Sequence, residues 1–248
     1  MLRNLAVGLV AIGLSACATN QITPKDYSAF NAERPRSVLV VPVINHTNEA
    51  DAANLFLTTM AVPLAERGFY VFPINATRNL MEAEGLGDAG LVHGTPTSQL
   101  AQVFGADSIL YVEVLQWDSK YNVLSSDIKT EMLYTLKSGK TDQVLWQDQQ
   151  EYVHSYSGGS GNFLVDLVAT AVSAAVDSTR SDFTPVAMGA NVTVLTPAGL
   201  GMPFGPYSPS FSQNETLFPA NGTGLVTSAS REAIAAPGVR VPDMEKDR

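Results

Sequence analysis

Three short apolar runs mark the first half of the chain, at positions 37–43, 69–73 and 108–114. The β-branched run at 37–43 is typical of a strand buried on both faces of a sheet, and the runs at 69–73 and 108–114 are predicted as the second and third strands. Three segments with apolar residues near helical spacing lie among them, at 51–67, 76–84 and 99–104. Pro63 should kink the first of these helices. This alternation predicts helices packed on a mixed sheet, with a glycine-bearing loop at 85–96.

The pattern changes after position 114. Residues 128–136 alternate between apolar and polar side chains, a turn follows at 137–141, and a second run covers 144–153. Alternation of this kind predicts an antiparallel β-hairpin with one wetter face, added at the edge of the sheet. The fold class predicted is therefore α/β: a three-layer-like mixed sheet with flanking helices plus an antiparallel hairpin.

The second half of the chain is less regular. Four residues, Gly-Gly-Ser-Gly at 158–161, form a predicted hinge before the segment 162–179, which is apolar nearly all round. Such a segment packs in a core, lines a contact between subunits, or dips into a membrane. It is short for a full membrane span, which takes roughly 20 residues. Beyond it the chain becomes rich in Pro and Gly.

The start of the chain reads as a secretory signal. Arg3 precedes an apolar run of about ten residues, too short to span a bilayer, and the run ends in Leu14-Ser15-Ala16-Cys17. This ending looks like a bacterial lipobox, in which the cysteine thiol is acylated with diacylglycerol and the chain is cut between Ala16 and Cys17. Cys17 is the only cysteine, which suits a lipid acceptor and excludes an intrachain disulfide. The alternative is an ordinary signal peptide.

Four regions follow from these patterns. They are a signal peptide at 1–16, a lipidated tether at 17–35, a periplasmic α/β domain at 36–210 and a disordered Pro/Gly-rich tail at 211–248. Ala18 follows the predicted acceptor where an Asp would favour retention at the inner membrane. We therefore expect an outer-membrane lipoprotein, anchored on the periplasmic face.

The amino-acid composition restricts the classes of partner that the chain can bind. Of the 248 residues 45% are hydrophobic, enough to bury a core, and the net charge is −9. An acidic chain without a basic patch is a poor ligand for nucleic acid. No polybasic stretch lies beside Cys17 to bind anionic lipid, so we expect membrane attachment through the acyl chains on Cys17.

No catalytic or metal-binding motif is present. The three histidines, His46, His93 and His154, lack the paired spacing of zinc ligands and are interpreted as loop or edge residues. The glycines at 158–161 fail as a nucleophile elbow because Asn162 stands where Gly is needed, and no phosphate-loop Lys follows them. The sequence thus predicts no metal, no cofactor and no enzymatic activity.

Five motifs follow the lipobox in order. They are Asp26-Tyr27-Ser28-Ala29-Phe30, the segment 34–42, the segment 63–73, Phe104-Gly105-Ala106-Asp107 and Gly205-Pro206-Tyr207-Ser208-Pro209. Together they resemble a family of bacterial lipoproteins that share a domain of unknown function and include a surface antigen. The resemblance implies an α/β domain related to the N-terminal domain of TolB and to the curli-secretion-channel lipoprotein. It transfers one functional residue, Cys17 as the lipidated position.

Two functional hypotheses remain. The preferred one is a non-catalytic, homo-oligomeric accessory or scaffold of an envelope secretion or transport complex. The alternative is a solute- or peptidoglycan-binding lipoprotein serving an ABC-type transporter, which predicts a pocket at the carboxyl ends of the strands, near residues 45–48 and Asn75. An envelope hydrolase ranks last, because no nucleophile and base can be placed together.

Overall fold

A mixed sheet of six strands forms the centre of the domain. The computed structural model describes residues 25–121, 126–155 and 182–220. The strands are β1 (Ser37–Val40), β2 (Ile44–Asn45), β3 (Tyr70–Val71), β4 (Ser108–Tyr121), β5 (Ser126–Ser138) and β6 (Val144–Ser155). Their order is β3-β1-β4-β5-β6, and β2 pairs with β4 beyond the end of β1. The strands β1 to β4 pair in parallel and β4 to β6 antiparallel, which confirms the predicted fold class.

Helices flank this sheet. They are α1 (Ser28–Glu33), α2 (Ala52–Thr59), α3 (Ala61–Glu66), α4 (Ile74–Ala83), α5 (Ala89–Gly94), α6 (Thr97–Phe104), α7 (Thr184–Leu195), the 3-10 helix Phe211–Gln213 and α8 (Asn214–Leu217). The helix predicted over 51–67 is interrupted at Met60. Pro63 explains the break, because its missing N–H cannot bond the carbonyl of Thr59.

Strand β1 is buried on both faces, as predicted, whereas Tyr70 of β3 is exposed. In β1, Val38 and Val40 point into the larger apolar cluster, which includes α2, α3 and α7, while Leu39 points into the smaller one. The smaller cluster is closed by three helices, through Met81 of α4, Val92 of α5, and Leu100 and Ala101 of α6. The domain therefore has three layers, with the sheet in the middle.

The antiparallel hairpin has the predicted wetter face. On its inner face Met132, Tyr134 and Leu136 join the larger cluster. On its outer face polar side chains pair across the strands, with Lys129 Nζ 2.7 Å from Glu151 and Gln149 donating to Glu131 at 2.8 Å. β6 forms the outer edge of the sheet.

The folded region extends beyond both predicted boundaries of the domain. The segment predicted as tether contains α1, and Tyr27 and Phe30 are each only 1% exposed. The segment predicted as tail from 211 begins with two short helices, and Phe218 is fully buried. Both segments are polar on average, but their few aromatic side chains gain enough by burial to join the core.

A helix also replaces part of the loop predicted at 85–96. The side chain of Asp88 accepts a hydrogen bond from the Leu91 N–H and so caps α5. Val92 of this helix is fully buried against the sheet. A helix of six residues is too short for its apolar periodicity to be recognised in the sequence.

Several predicted features lie outside the described residues. These are the signal peptide with Ala16 and Cys17, the hinge at 158–161, the apolar segment 162–179 and the end of the chain from 221. Within the described ranges, no helix is long and apolar enough to cross a membrane.

A buried polar network attaches α7 to the rest of the larger cluster. Asn191 is fully buried, and its side-chain N–H groups donate to the Phe56 carbonyl at 3.1 Å and to Thr59 Oγ1 at 2.8 Å. Its side-chain oxygen accepts from the Tyr134 hydroxyl at 2.5 Å. Burial raises the pKa of Tyr134 well above its usual value, so this hydroxyl keeps the proton that it donates. The network joins α2, β5 and α7.

The substitution Asn191→Ala should lower the free energy of unfolding by about 1–3 kcal/mol, because the buried Tyr134 hydroxyl and Phe56 carbonyl lose this partner. Urea unfolding followed by circular dichroism measures the loss. The control is Thr193→Ala in the same helix, at a half-buried position, and it should change stability by less than about 0.5 kcal/mol. Equal losses in both variants would contradict a role for the network.

Candidate functional site

The N-terminal segment of the folded region packs into the domain at a junction with its C-terminal segment. The Tyr27 hydroxyl donates to the Gly201 carbonyl at 3.1 Å, and the Tyr27 ring meets the Phe218 ring edge-to-face at 5.1 Å. Phe30 meets Phe69 in the same way at 6.2 Å. We call this contact, formed by residues 25–34, 67–69 and 196–218, the terminal junction. It fixes the chain just downstream of the predicted lipid anchor.

A buried ion pair begins the terminal junction. Lys25 Nζ lies 2.5 Å from Asp148 Oδ1 on β6 and 5.2 Å from the centre of the Trp146 ring. The Nζ atom is buried, although the side chain of Lys25 as a whole is 23% exposed. Burial lowers the pKa of Lys25 and raises the pKa of Asp148, and in each case the partner's charge opposes the effect. The pair links the first described residue to the edge strand.

Arg67 stands at the centre of the terminal junction. Its guanidinium lies 4.5 Å from the centre of the Phe204 ring and 5.9 Å from that of Phe218, and it donates to the Thr196 carbonyl. Burial lowers the pKa of Arg67 to about 10, so it remains charged at neutral pH. None of the ion pairs among the described residues includes Arg67. The positive charge of Arg67 is therefore stabilised by two aromatic faces and a backbone carbonyl rather than by a carboxylate.

Two glycines allow the backbones to cross at this junction. Gly205 N–H donates to the Arg67 carbonyl at 2.8 Å, and Tyr207 N–H donates to the Gly68 carbonyl at 3.1 Å. A Cβ on Gly68, whose φ is +84°, would lie 2.2 Å from Ser208 N, and one on Gly205 would lie 2.3 Å from the Gly68 carbonyl oxygen. Both glycines belong to motifs that carry the family resemblance.

A groove of about 440 Å³ opens beside the terminal junction. One wall is formed by Phe30, Asn31 and Arg34, and the other by residues between Phe211 and Ala220. Asn31 donates to the Phe218 carbonyl at 2.7 Å and thus joins the two walls. Sequence reasoning missed this groove, because both walls lie in segments predicted to be unstructured.

Polar side chains at the carboxyl edge of the parallel strands, where a pocket was predicted, make local contacts. The side-chain oxygen of Asn45 accepts hydrogen bonds from the backbone N–H and the hydroxyl of Thr47, and its amide donates to the Glu49 carbonyl. His46 Nε2 lies 2.8 Å from Glu113 Oε2 on the surface. Asn75 lies in α4. The side chains of Asn45 and Thr47 thus bond within their own turn, and His46 pairs with Glu113.

The histidines occupy three different elements. His46 follows β2, His154 lies in the edge strand β6, and His93 lies in α5 rather than in a loop. His93 Nε2 lies 2.9 Å from the Pro42 carbonyl, and its ring packs on Tyr111. Burial lowers the pKa values of His93 and His154. In the part of the chain that the structure describes, no three His, Cys, Asp or Glu side chains converge as metal ligands.

The fold and the terminal junction define a mixed α/β domain whose two ends are packed against each other. A family model described as "Putative lipoprotein GNA1162-like" matches residues 25–207, and the chain belongs to this family. The chain is 30% identical over 184 residues to "Putative lipoprotein NMB1124/NMB1162" of Neisseria meningitidis serogroup B, covering 74% of this chain and 84% of that protein. The family resemblance read from the sequence motifs is thereby confirmed.

Several solved structures match part of this chain. The crystal structure of lipoprotein GNA1162 from Neisseria meningitidis is 27% identical, with a TM-score of 0.49, over 57% of this chain and all of that one. A PelC dodecamer from Paraburkholderia phytofirmans is 17% identical, with a TM-score of 0.39, over 63% of this chain and 83% of that one. The C-terminal domain of LpoB from Salmonella enterica is 22% identical, with a TM-score of 0.31, over 50% and 84% of the two chains.

The substitution Lys25→Met should lower the free energy of unfolding by about 3–5 kcal/mol, because it leaves the buried Asp148 carboxylate without its partner. Chemical unfolding at pH 7 measures the change, and Lys25→Met with Asp148→Asn should restore part of it. The matched control is Lys137→Met, which removes the exposed pair with Asp142 (3.4 Å) and should cost at most about 1 kcal/mol. Similar losses for Lys25→Met and Lys137→Met would contradict the importance of the buried pair.

Gly68→Ala should destabilise the domain more than Gly85→Ala. Both glycines have positive φ, +84° and +80°, so an alanine costs about 1–2 kcal/mol at either position. A Cβ at Gly85 has no neighbour within 4 Å, whereas one at Gly68 collides with the Ser208 backbone. We therefore expect a further loss of about 1–3 kcal/mol at Gly68. Thermal unfolding compares the two variants, and equal shifts would show that the crossing tolerates a side chain.

Proposed function

We propose that this protein is a non-catalytic, oligomeric lipoprotein that serves as an accessory or scaffold of an envelope secretion or transport complex. Acyl chains on Cys17 would hold it at the periplasmic face of the outer membrane. The proposal combines membership of a lipoprotein family with the lipobox-like ending at Cys17. We further propose that the domain acts by binding protein partners.

The terminal junction is the observation that carries this proposal. A lipoprotein scaffold must transmit its membrane attachment to the folded domain, and the first core residue, Tyr27, follows Cys17 by only ten positions. Tyr27 and Phe30 are buried, and Lys25 forms an ion pair with the edge strand. Attachment through two or more acyl chains is stable, whereas a single chain binds marginally.

The solute-binding alternative has less support. It predicts a pocket at the carboxyl edge of the strands, where the Asn45 side chain instead bonds its own turn and His46 pairs with Glu113. The groove beside the terminal junction lies between α1 and the segment 211–220. It does not coincide with the site that the alternative requires.

Cross-linking in intact cells tests the proposal. The lipidated chain should take up labelled palmitate, sediment with outer membranes and give cross-linked adducts with itself and with an envelope protein. Cys17→Ser should lose the label and the membrane fraction, because it removes the acyl acceptor, and should lose the partner adducts with them. The control Ala18→Ser, next to the acceptor, should behave as the parent chain. A Cys17→Ser chain that still sediments with membranes, or a parent chain without adducts, would contradict the proposal.

A further inference from the structure

The edge strand β6 has the features of a strand that can pair with another. It is 12 residues long and contains no Lys, Arg or Pro. The opposite edge of the sheet, β3, has two residues. Natural proteins usually protect exposed edges with short strands, lysines or prolines. On β6 two other protective features are present: the register shifts beside Val144, and the charge of Asp148 points inward, where Lys25 pairs with it.

The layers that pack on β6 cover its inner face. Lys25 reaches Asp148 from that side, and Gly189 of α7 packs against the Tyr152 ring. Among the described residues, the backbone-to-backbone hydrogen bonds outside helices and sheet pairing do not involve residues 147–151. On the outer face Gln147 is exposed, and Gln149 and Glu151 are partly exposed. Among the residues that the structure describes, none pairs with the outward edge of this stretch.

Two identical strands can pair antiparallel only in a few registers. Residues opposite each other in an antiparallel pair point to the same face, so a two-fold axis normal to the sheet must pass between two copies of one residue. An axis at Asp148 would place the Asp148 carboxylates of the two copies opposite each other. An axis at Glu151 would likewise place the two Glu151 carboxylates opposite each other. Like charges directly opposite each other are destabilising.

An axis at Gln149 gives complementary pairs throughout. Gln147 then faces Glu151 of the second copy on the outer face, and Asp148 faces Gln150 on the inner face. Each acid lies opposite an amide, and Gln149 lies opposite itself. The strand is self-complementary in this register.

We propose that two copies of this chain pair antiparallel through β6, with Gln149 of each copy at the two-fold axis, so that one continuous sheet crosses the dimer. This inference rests on the self-association in the proposed function and names the surface that produces it. Backbone hydrogen bonds provide the contact, and the paired acids and amides set the register.

Two lysine variants test the register. Gln149→Lys places two ammonium groups opposite each other, so dimerisation measured by sedimentation velocity should weaken roughly fivefold or more. Gln147→Lys adds the same charge on the same face but places it opposite Glu151 of the second copy, so dimerisation should be unchanged or stronger. Both positions are on the strand's outer face, and the ammonium group introduced by Gln149→Lys can still pair with Glu131 within its own chain. Equal effects of the two variants would overturn the register.

Single cysteines give a second, independent measurement. The full chain with Cys17→Ala has no other thiol, so Gln149→Cys should form a disulfide-linked dimer under mild oxidation. Gln147→Cys alone should not, because the two copies of position 147 lie four residues apart along the strands, about 13 Å. Adding Glu151→Cys to Gln147→Cys should restore the cross-link.

The outcomes separate this inference from the proposed function. A chain that self-associates but gives no cross-link at position 149 and no response to Gln149→Lys overturns β6 as the surface and leaves the oligomeric scaffold standing. A chain that is monomeric in detergent and in cells overturns both.

Discussion

The packing of the two ends of the folded region against each other is the contact on which the larger core depends. Tyr27 and Phe30 contribute rings from the N-terminal side and Phe204 and Phe218 from the C-terminal side. The Arg67 guanidinium lies over the rings of Phe204 and Phe218. Edge-to-face rings and a buried cation over aromatic faces each add to the free energy gained by burial alone. Without these contacts one side of the larger cluster would be open to water.

The elements predicted most accurately from the sequence are those whose side-chain periodicity is long and clear. The run at 108–114 is a strand buried on both faces, and the alternating stretch at 128–136 lies within an antiparallel hairpin. In both cases the pattern of side chains reports directly which faces are covered. Pro63 also correctly predicted the break in the helix at 51–67, because the missing N–H of a proline acts locally on the helix that contains it.

The terminal junction could not be predicted in the same way. Helix α1 has six residues, fewer than two turns, and its segment contains only a few apolar side chains among polar ones. Nothing local to Lys25 indicates that it meets Asp148, which is distant in the chain, or that Arg67 is buried among aromatic rings. Contacts of this type depend on the tertiary arrangement, and periodicity carries no information about them.

The motifs behind the family resemblance acquire a physical explanation from the structure. The motif around Gly68 and the motif around Gly205 cross at backbone distance, where neither position has room for a Cβ. The motif ending in Asp107 joins the start of β1, since its carboxylate accepts from the Arg36 N–H and its own N–H donates to Ser37 Oγ. These motifs, although far apart in sequence, therefore meet in two contacts: one between the Gly68 and Gly205 segments, and one between Asp107 and the start of β1.

The ion pair of Lys25 sets a limit on how far the domain can move away from a bilayer. With Cys17 lipidated as proposed, eight peptide links separate the acyl attachment from a residue fixed to β6. A fully extended chain of that length reaches roughly 28 Å, whereas a free segment up to Pro35 would reach roughly 60 Å. The radius that the domain could explore would thus be about halved, and Lys25, beside Asp148, would be the described residue nearest to the anchor along the chain.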